Sequence, residues 1–129
     1  MNLNYKKKIN EEVIIKTSSA KSKGRRLQQH VRDLLLEKTE KYGLVSGDIE
    51  SIGMGQSGRD VLLSPAAEKV VPFDIETKNQ EKINIWSAIE QAEYNTKKGR
   101  IPMVVFKRNR SKVYACIELD KLIDLLYEK

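Results

Sequence analysis

With 129 residues the chain has room for one domain with a proper core, but not for two. Its 24 lysines and arginines exceed its 18 aspartates and glutamates, and a net charge of +6 favours an anionic partner, most simply nucleic acid. A single cysteine, Cys116, and a single histidine, His30, exclude a disulfide framework and a Cys/His zinc site within one chain. No run approaches the length of a membrane span and no signal-peptide pattern is present, so the expectation is a cytoplasmic protein without a membrane partner.

Residues 1–20 differ from the rest and read as a basic N-terminal arm, with a single domain over 21–129. Lys6-Lys7-Lys8 opens the arm, and Val13-Ile14-Ile15 forms a lone apolar patch. That patch suits either a short strand pairing with the domain or a second subunit, or part of a flexible arm.

From Lys21 the apolar spacing sharpens. Leu27, Val31, Leu34 and Leu35 fall on one helical stripe, with Ser22 as N-cap and Gly43 as the stop. Lys21, Lys23, Arg25 and Arg26 crowd the start of that helix, where cations oppose the dipole, so phosphate contact explains them better than helix stability. Residues 48–52 read as a strand. Met54-Gly55-Gln56-Ser57-Gly58 is a glycine-rich bend but no P-loop, since no Gly-Lys-Ser/Thr follows, and no organic cofactor is expected.

Two strands follow, Asp60–Leu63 and Val70–Lys78, joined by a turn over Ser64–Lys69. Alternation in the second places Val71, Phe73, Ile75 and Thr77 on one face and Asp74, Glu76 and Lys78 on the other. If Ser64 pairs with Val70, Asp60 sits opposite Asp74 and diagonal to Glu76. Carboxylates gathered beside a lysine suit a hard divalent cation.

A helix over 84–97 buries Ile85, Ile89 and Ala92, with Trp86 and Ala88 beside them in the core. Gln91 and Tyr94 stand on a neighbouring face, where Gln91 is a candidate accessory residue. Ile101–Phe106 reads as a buried strand, residues 107–112 as a basic hairpin turn, Val113–Leu119 as the returning strand, and 120–126 as a terminal helix on the sheet. The order predicts an α/β fold, a mixed sheet of about five strands flanked by helices.

An acidic residue ahead of a hairpin, then Glu76-Thr77-Lys78 on the next strand, then a helix and two strands, resembles the PD-(D/E)xK nuclease superfamily. Lys23-Gly24-Arg25-Arg26, the run from Met54 to Asp60, Leu63-Ser64-Pro65-Ala66-Ala67, Phe73–Asn79, Asn84-Ile85-Trp86 and Val105–Arg110 resemble, more narrowly, small phage and archaeal Holliday-junction resolvases. The likeness covers about residues 21 to 126. It implies a restriction-endonuclease-like fold, a homodimer, and metal-dependent phosphodiester hydrolysis in branched DNA, the four-way junction above all.

By the same resemblance Asp60, Glu76 and Lys78 are the catalytic set. Asp60, Glu76 and the Thr77 backbone carbonyl would hold Mg²⁺ or Mn²⁺. Archaeal relatives carry a further glutamate on the first helix where this chain has Gln28, which makes Gln28 a candidate uncharged ligand, with Asp74, Glu50 or a partner chain as possible compensation. Lys23, Arg25, Arg26, Arg59, Ser64, Lys107, Arg108, Arg110 and Lys112 are the expected DNA contacts. The Val13-Ile14-Ile15 patch and the exposed side of the 84–97 helix are the candidate dimer surfaces.

Overall fold

A computed structural model describes residues 3–52 and 59–128, with side chains from residue 19 onward. In chain order it contains α1 (Leu3–Thr39), β1 (Ile49–Ser51), β2 (Val61–Leu63), α2 (Pro65–Val70), β3 (Phe73–Asn79), α3 (Ile85–Asn95), β4 (Ile101–Lys107), β5 (Tyr114–Cys116) and α4 (Leu119–Tyr127). The fold is α/β. Among the described residues its five strands pair in two small sheets: β1 and β2 pair antiparallel, while β3–β4–β5 is mixed, parallel between β3 and β4 and antiparallel between β4 and β5. Between the two sheets, the Asp60 N–H donates to the Ile75 carbonyl at 3.2 Å.

β3 divides the core. On one face Ile75 joins Leu27 and Val31 of α1, Ile49 of β1, and Val61 and Leu63 of β2. On the other, Val104 packs with Ala88 and Ala92 of α3, edged by Phe106 and Cys116. The β3–β4 register sets Ile75 beside Met103 and Glu76 beside Val104, so both strands present matching faces to each layer.

Several sequence expectations are corrected. The segment after β2 is a helix, not a hairpin turn: Ser64 caps α2, accepting a hydrogen bond from Ala67 N at 3.1 Å, and Pro65 occupies its first turn. β2 therefore pairs with β1 rather than β3, and Asp60 is not the cross-strand partner of Asp74. α1 begins at Leu3, so no strand forms at 13–15 and Ser22 caps nothing. Lys21, Lys23, Arg25 and Arg26 lie within the helix, where the dipole argument does not apply. Gly43 does stop this region, with φ of 85° and its N–H donating to Glu40 O at 2.9 Å.

Leu34 and Trp86 were expected inside and are exposed, Trp86 by 74 %. α4 forms as expected but does not pack on the sheet, since none of its residues is buried. The glycine-rich bend, with Met54, Gln56 and Ser57, lies outside the described residues.

Candidate active site

The site is built where β2 enters beside β3. Asp60, the residue before β2, turns its carboxylate onto β3: Oδ2 accepts from Thr77 N at 2.7 Å and from the Thr77 hydroxyl at 3.0 Å. Two donors on one oxygen fix the carboxylate against the strand. Glu76, the neighbour of Thr77 on β3, is buried to 3 % exposure, and its Oε1 lies 3.6 Å from Lys78 Nζ. Its Oε2 is buried with no hydrogen-bond partner.

Burial first, then the charge of Asp60, push the Glu76 carboxyl up to about 7, against a smaller opposing pull from Lys78. The charge of Asp60 beside Glu76 and the single nearby ammonium of Lys78 leave the two carboxylates only partly compensated, which is why the Glu76 carboxyl is raised. Among the described residues no third acid, histidine or cysteine joins them.

Gln28 belongs to the buried face of α1, at 4 % exposure, and its Oε1 is the other buried side-chain oxygen left without a partner. α1 lies across β1, β2 and β3, covering the β3 face that carries Ile75 and, by alternation, Thr77. The orphaned Glu76 oxygen and the Asp60 carboxylate are hard oxygen donors, the kind a Mg²⁺- or Mn²⁺-sized ion takes, and Gln28 Oε1 is a separate unpaired donor on α1.

Asp74 does not join this set. At 2 % exposure its Oδ1 accepts from Arg59 Nη1 at 2.9 Å and Arg100 Nε at 2.8 Å, and its Oδ2 from Lys97 N at 3.0 Å. Burial favours its neutral form, but the bonds from Arg100, Lys97 and Arg59 outweigh that and hold the carboxyl below its ordinary value. Arg100 also donates to the carbonyls of Glu68, Val71 and Phe73, so one guanidinium ties the end of α2 to the start of β3.

This network changes the reading of two expected DNA contacts. Arg59 points inward to Asp74 and Glu68. Ser64 is engaged as the α2 cap and donates to Asp48 Oδ1 at 2.7 Å. Sequence reasoning missed Arg100, placed with the cations closing the preceding helix; a lone arginine just ahead of an apolar strand was its only signal.

Other basic residues do converge. A cleft of about 370 Å³ is lined by Lys23, Arg26 and His30 of α1, by Lys107 at the end of β4 and Arg110 of the β4–β5 turn, and by Asn79. Asn79 Nδ2 donates to the Lys23 carbonyl at 3.0 Å, which joins α1 to the end of β3 one residue beyond Lys78. Arg25, Arg108 and Lys112 are exposed but do not line this cleft. Gln91 is exposed on α3 and hydrogen-bonds none of the cluster.

No family model matches the chain, and no curated protein or solved structure matches it.

Proposed function

We propose that this chain is a metal-dependent endodeoxyribonuclease of restriction-endonuclease-like fold, acting as a homodimer on branched DNA, with the four-way junction as its substrate in recombination or DNA processing. The observation that carries the reading is the Asp60–Glu76 pair beside Lys78, Asp60 half-buried and Glu76 buried with an unpaired oxygen. The basic cleft at the end of β3 supports it, because it offers cations to a phosphate backbone close to the acidic pair.

Asp60 and Glu76, with the Thr77 carbonyl and Gln28 Oε1, would hold Mg²⁺ or Mn²⁺. Such an ion supplies an acidified water and charge neutralisation at a phosphate. Thr77 fixes the Asp60 carboxylate so that it cannot rotate away from the pair. Lys78 stands 3.6 Å from Glu76, close enough to orient the attacking water or to neutralise the phosphorane as the P–O bond to the leaving strand breaks. Lys23, Arg26, Lys107 and Arg110 would hold the DNA backbone, and Arg25, Arg108 and Lys112 would extend that contact.

The cations of the cleft suit phosphates and not base edges, so recognition would be of shape. Two copies related by a two-fold axis suit paired cuts in a four-way junction. The test is cleavage of a synthetic four-way junction in Mg²⁺ beside a linear duplex of the same sequence. Paired nicks in the junction alone support the proposal; equal cutting of both leaves a nuclease of another specificity. A second reading, a DNA-binding module without catalysis, draws on there being two acids at the site among the described residues and on the neutral Gln28. Tight junction binding without cutting at any Mg²⁺ or Mn²⁺ concentration would favour it.

A further inference from the structure

α4 carries an apolar stripe, Leu119, Leu122, Ile123 and Leu126, at the spacing of one helical face. Those side chains remain 68, 40, 45 and 57 % exposed, and α4 makes no substantial contact with any other element among the described residues. Beside its start lies an open groove of about 670 Å³ between α3 and the sheet, lined by Trp86, Ile89, Val104, Cys116 and Ile117. Trp86 is 74 % exposed at the groove. The described residues thus leave uncovered both an apolar helix and an apolar trough.

α4 does not fill its own groove. Only Ile117 and Glu118 separate β5 from α4; both line the groove, and no residue of α4 does. So short a connector launches the helix away from the trough instead of letting it double back along it. Charge favours the same pairing between molecules. The segment from Glu118 to Glu128 has Glu118, Asp120, Asp124 and Glu128 against Lys121 alone, while the exposed rim of the groove carries Lys97 and Lys98 against Glu93, its Arg100 being held by Asp74.

We propose that α4 of each copy lies in the α3–β5 groove of a second copy, a reciprocal exchange about a two-fold axis. Each copy supplies one helix and one trough, so the contact is self-complementary and closes at two copies. Trp86 in the groove and Tyr114 on β5 add exposed aromatic surface, the composition of an interface core. The proposal rests on the two-copy reading above, but not on the cleavage chemistry.

Trp86 is the sole tryptophan and therefore a built-in reporter of the groove. The experiment measures molar mass by light scattering and Trp86 emission over a dilution series, for the wild-type full chain, for Leu122→Asp/Leu126→Asp, and for a control, Val45→Asp, at a 67 % exposed apolar position elsewhere. The wild type and the control should be dimeric with blue-shifted emission that moves red on dilution. The double variant should be a folded monomer with red emission, its dissociation constant raised by about 30-fold or more. Because α4 contributes nothing to its own chain's core, circular dichroism should be unchanged. A dimer that survives the double substitution, or one whose Trp86 stays red, overturns this surface and leaves the two-copy reading standing. A wild type monomeric at all concentrations overturns both.

Discussion

Asp60 reaches β3 through Thr77: one carboxylate oxygen accepts both the backbone N–H, at 2.7 Å, and the hydroxyl, at 3.0 Å. Since Thr77 lies between Glu76 and Lys78, this clamp sets the register of all three proposed catalytic groups at once. Asp60 comes to the site through side-chain bonding, not through membership of a paired strand.

Thr77→Val keeps the shape and the backbone donor but removes the hydroxyl. The Asp60 carboxylate should swing more freely, lowering the cleavage rate by about 10-fold while costing only about 1 kcal/mol of stability. Single-turnover cleavage and urea unfolding together check this. Thr77→Ser should restore most of the rate.

Asp74 and Arg100 form a buried pair on which α2, β3 and the α3–β4 loop converge. Removing one partner strands the other, so Arg100→Ala should cost about 3–5 kcal/mol in denaturant unfolding. Asp74→Asn retains the shape but leaves two guanidinium groups facing a neutral amide, and should also be markedly destabilised. Neither change touches the acidic pair, so residual folded protein should still bind metal.

Glu76 titrates near 7 in the folded chain against an ordinary 4.5. The native state therefore keeps a proton that the unfolded chain has lost, and the associated stability is full below 4.5 and gone above 7. Metal-free wild type should lose melting temperature across that window, and Glu76→Gln should not. Mn²⁺ or Mg²⁺ favours the ionised form, so metal affinity should rise with pH through about 7, measurable by calorimetry.

Lys23, Arg26, Lys107 and Arg110 converge on one cleft from two distant segments. If each neutralises a phosphate, every alanine substitution there should lower the slope of log K against log salt by about 0.9. Arg59→Ala should instead act on stability, because its guanidinium is bonded to Asp74. Binding titrations at several salt concentrations separate the two behaviours.

Much of this was legible from local pattern. β3, β4 and α3 follow from alternation, an early proline and the Ile85, Ile89, Ala92 spacing, and Glu76 and Lys78, which alternation puts on one face, lie 3.6 Å apart. The α2 helix was written in Ser64-Pro65 followed by Ala66-Ala67-Glu68, a cap and a first-turn proline ahead of good helix formers, but a hairpin reading hid it. The Asp74–Arg59–Arg100 network was not legible, because it joins residues 15 and 26 positions apart and depends on how loops close. Trp86 and α4 misled for another reason. Apolar content predicts burial, and it does not say whether the covering surface belongs to the same chain.

The most direct test of the account is single-turnover cleavage of a four-way junction in Mg²⁺ by wild type and by Glu76→Gln, with junction affinity measured on the same samples. Glu76→Gln fills the same volume without the charge. The account predicts cleavage by the wild type, a loss of about 10³-fold or more in the variant, and affinity within a few fold of wild type. Cleavage by Glu76→Gln at the wild-type rate would contradict it.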